Sequence, residues 1–484
     1  MSTSAKVTAR QRIENLLDDN SFVEIGAYVK ARNTDFNIQA KDTPSDGVIT
    51  GYGVINGGLV YVYSQDASVL GGSVGEMHAK KIASLYDMAM KTGSPVIGLI
   101  DSTGLRLQES VDGLNAFGQI YMKQSLASGV IPTITAIFGN CGGGLSIVAG
   151  LSDFTFMEVE NAQLFVNSPN AITENRKEIC DNASAKFQSE EAGNVDFVGT
   201  EAEVIEGIRN LVSVLPSNNE DEASDLECYD DLNRAAEGIE NCGEDTLLAL
   251  ENISDDGFII EAKRNYAPEM VTAFIKLNGA TVGAVANRTK VYDDDMNVAA
   301  EFDAKLTAKG CNKAAEFVNF CDAFNIPVLT LTNVNGFAAT MCQEKNGAKA
   351  SSKLVYAFAN ATVPKVNLII GDAIGSAYVT MNSKATGADI VYAWPTAKVG
   401  MMDAKSAVQI MYADEIEKAD DASVIINEKT KEYNELQSNV MSAAARGYVD
   451  SIIEPVDTRK YVIGAFEMLY TKYENRPGKK HGTV

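Results

Sequence analysis

The stretch that decides the fold reads VIPTITAIFGNCGGG and occupies Val130–Gly144. A proline opens a run of β-branched and apolar residues, and the run ends in a glycine-rich turn. The stretch TVPKVNLIIGDAIGS at Thr362–Ser376 has the same pattern. The offset in sequence number from Pro132 to Pro364 equals the offset from Gly139 to Gly371. The shared pattern and the constant offset indicate an internal duplication.

The repeat extends upstream of these stretches. TGSPVIGLIDSTG at Thr92–Gly104 and FNIPVLTLTNVNG at Phe324–Gly336 have the same offset, and so do the helix-like stretches before them. Further upstream, INGGLVYVYSQD at Ile55–Asp66 resembles LNGATVGAVANR at Leu277–Arg288. Several segments in the same order predict two copies of one domain.

Within each half, helical and strand periodicities alternate. In the first half they predict a helix that ends at Gly93, a strand at Val96–Ile100, a helix over about Leu114–Ala127 and a strand at Thr133–Phe138. This order is typical of repeated βαβ units with near-parallel strands and right-handed crossovers. The predicted fold class is therefore α/β.

The length of 484 residues also favours two domains over one hydrophobic core. A polar, acidic stretch separates the two halves and is typical of a solvated linker. We therefore expect an N-terminal domain at residues 1–220, an acidic linker at 221–239 and a C-terminal domain at 240–484.

Charge and composition restrict the classes of function. A formal net charge of −24 argues against a nucleic-acid partner, so a polyanionic ligand needs a local cluster of lysine or arginine. The seven cysteines form no C-x-x-C pair, and we expect neither a metal site nor a disulfide framework. His78 and His481 are the only histidines, which disfavours a Ser–His–Asp hydrolase. No signal core or membrane span is apparent, so a cytoplasmic protein is expected. Peripheral association with a membrane complex is compatible with this expectation.

The second strand of each half leads directly into a glycine-rich turn and then a helix. These turns are Gly139–Gly144 and Gly371–Ala377. Small residues let a ligand approach the backbone, and the unpaired N–H groups of a helix start favour negative charge. The pattern predicts a phosphate or oxyanion site, with close packing as the alternative. No G-K-S/T follows, which disfavours a P-loop.

Longer motifs resemble one known family. They include TARQRIENLLDDNSFVEIGAYV at Thr8–Val29, GGSVGEMHAKKI at Gly71–Ile82 and GADIVYAWPTA at Gly387–Ala397. They resemble the carboxyltransferase subunits of biotin-dependent acyl-CoA carboxylases and decarboxylases, of the propionyl-CoA carboxylase beta or methylmalonyl-CoA decarboxylase alpha type. The resemblance covers nearly the whole chain.

The resemblance implies two tandem crotonase-like (ββα-superhelix) domains and a carboxyltransferase. The N-terminal half would hold an acyl-CoA, and the C-terminal half would hold carboxybiotin borne on a separate carrier protein. Gly143 and Gly144 would donate to the thioester oxygen, and Ser376 and Ala377 to the ureido oxygen of biotin. The family usually forms a hexamer with active sites between halves of different chains. A biotin carboxylase or a membrane decarboxylase subunit would be the further partner.

Other residues are candidates for substrate contact. We expect the coenzyme A phosphates near a basic set, although lysines on a helix are usually only solvated; further contacts follow from the matching family motifs. The basic set is Lys30, Arg32, Lys80 and Lys81, and the further contacts are Arg106, Tyr378 and Val379.

The expected chemistry needs no protein base. Preorganised N–H groups stabilise the charge that forms on a thioester oxygen, and the biotin anion can take the α-proton. The direction of transfer stays open, so the alpha subunit of an ion-pumping decarboxylase is an alternative. Departures from the family motifs near Arg106 and Phe337 leave open a non-catalytic assembly subunit. A crotonase-type hydratase or isomerase would need an acid, for which Glu109 is the candidate.

Overall fold

The computed structural model describes residues 7–33, 42–172, 181–221, 228–293, 295–419 and 421–477. The chain divides into two compact units, Met1–Ala223 and Ser224–Val484. The division falls within the predicted linker at residues 221–239. However, Ala236 and Ile239 are buried in the core of the second unit, so this end of the stretch is part of that unit.

Unit 1 is built around a mixed sheet of eight strands among its described residues. The strands are β1 (Val23–Ile25), β2 (Val48–Ile55), β3 (Gly58–Gln65), β4 (Val96–Ser102), β5 (Thr133–Gly142), β6 (Phe154–Glu158), β7 (Gln163–Phe165) and β8 (Phe197–Gly199). The helices are α1 (Ala9–Leu16), α2 (Glu76–Thr92), α3 (Ser110–Ala127), α4 (Gly144–Gly150) and α5 (Glu201–Val212). The strand order is β1-β2-β3-β4-β5-β6-β8, and β7 also pairs with β5.

Unit 2 has a sheet of the same kind and a separate two-stranded ribbon, β12–β13. Its strands are β9 (Ile259–Ala262), β10 (Met270–Leu277), β11 (Ala280–Asn287), β12 (Lys290–Tyr292), β13 (Val298–Glu301), β14 (Val328–Asn335), β15 (Lys365–Ile374), β16 (Ile390–Ala393), β17 (Lys398–Gly400) and β18 (Ser451–Ile452). Its helices are α6 (Thr246–Ile253), α7 (Ala308–Ala323), α8 (Met341–Asn360), α9 (Gly375–Thr380), α10 (Ala404–Met411), α11 (Ala413–Glu417), α12 (Ala422–Tyr433), α13 (Val440–Ala445) and α14 (Thr458–Leu469).

The two sheets have one topology. The order β9-β10-β11-β14-β15-β16-β18, with β17 beside β15, reproduces that of unit 1 strand by strand. The register agrees as well, because Val96 pairs with Thr133 and Val328 pairs with Lys365. The constant sequence offset therefore joins structurally equivalent strands, and the predicted duplication is confirmed.

Local sequence explains the central elements. Every residue of β4 is buried, as expected for a parallel strand covered on both faces. The hairpin between β2 and β3 turns at Asn56-Gly57, both at positive φ, as the right-handed strand twist requires. Gly93, at φ +63°, ends α2 in the left-handed conformation that glycine adopts easily. No helix within the described ranges is long and apolar enough to cross a membrane.

Candidate functional site

The glycine-rich turn of unit 1 presents one free backbone donor of the predicted pair. The N–H of Gly143 donates to Phe165 O at 2.9 Å, so it is occupied by the pairing of β5 with β7. Gly144 is the first residue of α4, and its N–H has no acceptor among the described residues. The donor that unit 1 can offer to a ligand is therefore that of Gly144.

Aromatic side chains of α3 surround Gly144. A Cβ atom there would lie 2.8 Å from Tyr121 Oη and 3.3 Å from the Phe117 ring, so only glycine fits without displacement. The Tyr121 hydroxyl donates to Gly144 O at 2.7 Å. Burial raises the pKa of Tyr121 above its ordinary value, which is consistent with a hydroxyl that donates. Sequence patterns did not identify Tyr121. Helical periodicity predicts which face of a helix is buried, but it does not predict which residue that face contacts.

The turn of unit 2 has the same construction. Gly375 has φ +69° and is the first residue of α9. The N–H groups of Ser376 and Ala377 follow it, and neither has an acceptor in the described part of the chain. Ala377 is fully buried, whereas Ser376 is exposed. Both predicted donors of unit 2 therefore lack an acceptor, and the donor at an exposed residue is that of Ser376.

The remaining candidates of unit 2 lie in the next turn of α9. Val379 is 40% exposed and lies three residues after the exposed Ser376, so both lie on the open face of this helix. Tyr378 is buried, and burial raises its pKa to about 12. Val379 can contact a ligand at this turn, whereas Tyr378 packs inward.

Two predicted contact residues of unit 1 are internal. Arg106 is 1% exposed and bonded to Asp46 Oδ1 at 2.5 Å, Glu109 Oε1 at 2.9 Å and Ser73 O at 2.7 Å. The Lys81 ammonium is buried and donates to carbonyl oxygens, and its burial lowers its pKa to about 8. We assign both side chains to the framework of unit 1 and omit them from the proposed substrate contacts.

The other basic candidates differ in their partners. Lys30 pairs with Asp42 at 2.9 Å, and Arg32 is shared between Glu76 and Asp112. Lys80 is exposed on α2 and has no ion pair with any described residue. It is the candidate whose charge is available to a polyanion.

Two residues considered as acid–base groups are unsuitable for catalysis. His78 is fully buried, and burial lowers its pKa to about 3, so its ring is neutral and bonded to Asp46 and Gln65. Glu109 is also buried, bonded to Arg106 and to the N–H of Glu76. The hydratase alternative thereby loses its candidate acid. His481 lies outside the described residues.

The fold is a duplicated α/β domain, and each copy has a glycine-rich turn with N–H groups that lack an acceptor among the described residues. Such N–H groups can stabilise an anionic oxygen, so the arrangement is compatible with an enzyme that forms oxyanions. Comparison with known proteins agrees with this class. The carboxyl transferase domain model matches residues 2–484. The chain therefore belongs to the carboxyltransferase family of biotin-dependent acyl-CoA carboxylases and decarboxylases.

The relatives include enzymes of both directions. Methylmalonyl-CoA decarboxylase subunit alpha of Propionigenium modestum is 40% identical over 99% of this chain and 93% of its own length. The carboxyltransferase subunit of Haloferax mediterranei propionyl-CoA carboxylase is 39% identical over the same shares, 99% and 93%. A crystal structure of transcarboxylase 12S, a hexamer with methylmalonyl-coenzyme A bound, matches with a TM-score of 0.92 and 38% identity, over 98% of this chain and 92% of that one. These matches confirm the predicted family, fold and enzyme class.

Proposed function

We propose that unit 1 holds the acyl-CoA and unit 2 holds biotin, each with its own backbone oxyanion site. The observation that carries this proposal is the repetition of one geometry. Gly144 in unit 1 and Ser376 with Ala377 in unit 2 offer free N–H groups at the same place of the same topology. Two anions of similar shape form during carboxyl transfer, and a duplicated domain supplies one site for each.

In unit 1 the charge develops on the thioester oxygen. When the α-carbon loses a proton or a carboxyl group, the electron pair that remains is delocalised to that oxygen. The N–H of Gly144 donates to it. The hydrogen bond from Tyr121 fixes the peptide plane beside this donor, so little reorganisation is needed when the charge forms.

In unit 2 the donors fit the ureido group of biotin. When bound, biotin supplies a ureido nitrogen that carries the carboxyl group and later takes the α-proton. The N–H groups of Ser376 and Ala377 stabilise charge on the ureido oxygen, while Val379 offers an apolar contact. With the proton accepted in this way, neither His78 nor Glu109 is needed as a base.

Lys80 is the proposed contact of the coenzyme A phosphates, with Lys30 and Arg32 as secondary contacts. Lys30 and Arg32 would exchange carboxylate partners for phosphate when the ligand binds. Lys80 needs no such exchange. A phosphate therefore gains most from this side chain.

We infer that biotin arrives on a separate carrier protein. The tripeptide Ala89-Met90-Lys91 resembles a biotinylation motif, but it lies in the last turns of α2. A modified lysine of a carrier stands at a hairpin tip, which is a different setting. A biotin carboxylase or a membrane decarboxylase subunit is the proposed further partner.

We also infer that copies of this chain associate, as a hexamer by analogy with transcarboxylase 12S. The 12 residues of α12 include none that is buried within the chain. The neighbouring α10 exposes Ile410 and Met411, and Val424 of α12 is exposed as well. A helix of this length needs an apolar face packed against another surface, and a second copy supplies that surface.

The test of the proposed function is carboxyl transfer from methylmalonyl-CoA to free biotin by the purified chain. Two partial reactions separate the units. Decarboxylation of methylmalonyl-CoA without biotin reports on unit 1, and decarboxylation of free carboxybiotin without acyl-CoA reports on unit 2. We expect all three reactions. If none occurs with a folded, assembled chain, the non-catalytic assembly subunit becomes the better account.

A further inference from the structure

In both units a strand bulge leads into the glycine-rich turn. Ile100 of β4 pairs with Ile137 of β5, but Ser102 pairs with Cys141, so β5 has two more residues than β4 across this interval. The same irregularity separates β14 from β15 at the equivalent positions. The extra residues bend each strand immediately before the donors.

A side chain from the neighbouring strand fills each bulge. A Cβ atom on Gly139 would overlap Asp101 Oδ1, and a Cβ atom on Gly371 would lie 2.5 Å from Asn333 Oδ1. Asp101 and Asn333 are themselves equivalent, because the sequence offset between them is the one that relates the strands of the two units. We call them the bulge side chains.

In unit 2 the bulge side chain also bonds the bulge backbone. Asn333 Oδ1 accepts from the N–H of Asp372 at 3.1 Å. Asp372 is one of the bulge residues that pair with no residue of β14, although it pairs with Lys398 of β17. Asn335 Nδ2 donates to Asp372 Oδ2 at 3.2 Å. Asp372, three residues before Gly375, is thus held both through its backbone N–H, by Asn333, and through its carboxylate, by Asn335.

The type of each bulge side chain matches its surroundings. Asp101 faces a buried cation, since Arg12 Nη1 lies 3.3 Å from Asp101 Oδ2 and Arg12 Nε lies 2.8 Å from Glu201. Arg12 is the fourth residue of α1, and the fourth residue of α6 is the buried Ala249. Because unit 2 has alanine where unit 1 has Arg12, a carboxylate at residue 333 would lack the counter-charge that Asp101 has. The residue at this position is the neutral Asn333.

We propose that Asp101 and Asn333 are positioning residues, each of which fixes the donors of its own unit through the bulge. Neither touches a reacting atom in this account. The inference rests on the proposed function, because its effect is read from the two partial reactions. The shared feature is a side-chain oxygen packed against the bulge glycine. The side chain is charged in unit 1, where Arg12 is present, and neutral in unit 2, where Ala249 takes the place of arginine.

The test is Asn333→Ala, measured in both partial reactions. We expect kcat for carboxybiotin decarboxylation to fall about 10- to 100-fold with KM nearly unchanged, because displaced donors cost rate more than binding. Methylmalonyl-CoA decarboxylation should stay within about twofold of wild type. Gly371→Ala places a Cβ atom against Asn333 Oδ1 and should cause the same selective loss of carboxybiotin decarboxylation. This variant replaces Asn333→Ala in the test if Asn333→Ala does not assemble.

Unit 1 provides the rescue by a conservative variant. Asp101→Ala should lower the rate of methylmalonyl-CoA decarboxylation. Asp101→Asn should retain most of the rate, because the amide keeps a side-chain oxygen and Arg12 keeps its ion pair with Glu201. Equal losses in both partial reactions for Asn333→Ala, no loss in either, or equal harm from Asp101→Ala and Asp101→Asn would overturn the positioning role. A wild-type chain without either reaction would overturn the proposed function instead.

Discussion

The hydroxyl of Tyr121 donates to the carbonyl oxygen of Gly144 at 2.7 Å, from one helix to the first residue of the next. The same hydroxyl occupies the space that a side chain at residue 144 would need. Tyr121 therefore both requires glycine at this position and fixes the peptide beside the free N–H. The proposed oxyanion site of unit 1 therefore depends on the packing of α3 against the turn as well as on the glycine-rich sequence.

Tyr121→Phe removes this hydrogen bond and keeps the ring. The loss of one hydrogen bond costs roughly 0.5–1.5 kcal/mol, so methylmalonyl-CoA decarboxylation should slow about 2- to 10-fold. Carboxybiotin decarboxylation should not change. The matched control is Tyr473→Phe, at an exposed tyrosine of unit 2. An unchanged rate in Tyr121→Phe would show that the hydroxyl does not hold the donor.

Lys80→Glu tests the phosphate contact. Loss of one charge-assisted contact should raise KM for the acyl-CoA about tenfold with little effect on kcat. The rise should shrink at high salt, because salt screens an exposed charge. Lys91→Glu is the control, since Lys91 is also exposed on α2 but lies three turns away. Equal effects of the two variants would indicate a general charge effect and contradict a specific contact.

Lys313 predicts a pH dependence of stability. Burial lowers its pKa to about 7 from 10.5, and it donates to Tyr266 O at 2.8 Å. Between these pH values the unfolded chain binds more protons than the folded chain, so the contribution of Lys313 to stability rises with pH. In urea unfolding, the free energy of unfolding of Lys313→Met should exceed that of wild type by the largest amount below about pH 7. That difference should narrow toward pH 10, and a constant difference would contradict the shifted pKa.

Much of the fold was predictable because its signals are local. Proline followed by β-branched residues marked the strands, Gly93 marked the end of α2, and the constant offset marked the duplication. The glycines of the two turns were also predictable, because close backbone approach restricts the residue type. These features need no knowledge of distant partners.

The environment of the charged residues was not predictable from sequence. Lys81 was expected at a substrate as part of a local basic set for a polyanionic ligand, and Arg106 was expected there from a matching family motif. Their partners come from a left-handed turn at Ser45-Asp46, where neither residue is glycine and φ is +56° and +49°. No periodicity identifies such a turn, so its carbonyl and carboxylate oxygens could not be assigned to the two cations.

The bulge side chains could have been found from the repeat. The offset from Asp101 to Asn333 equals the offset from Gly139 to Gly371. Comparison of the two halves shows that each half has a residue with a side-chain oxygen, Asp101 or Asn333, and a glycine at the same distance after it in the sequence. What sequence could not supply is the contact between them, which depends on the bulge in β5 and β15.

The most direct test of the two-site account removes one donor from each unit. Proline has no N–H, so Gly144→Pro and Ala377→Pro delete one donor each. Gly144→Ala keeps the N–H but meets Tyr121, and Ser376→Ala changes only a side chain, so these two variants separate sterics from donation.

Both proline variants must first be shown to be folded and assembled. Loss of one oxyanion donor typically costs on the order of 10²–10³ in rate. We expect Gly144→Pro to lose methylmalonyl-CoA decarboxylation alone and Ala377→Pro to lose carboxybiotin decarboxylation alone, with a mild effect of Ser376→Ala. Folded proline variants that both keep near-normal rates in both partial reactions would contradict the two oxyanion sites.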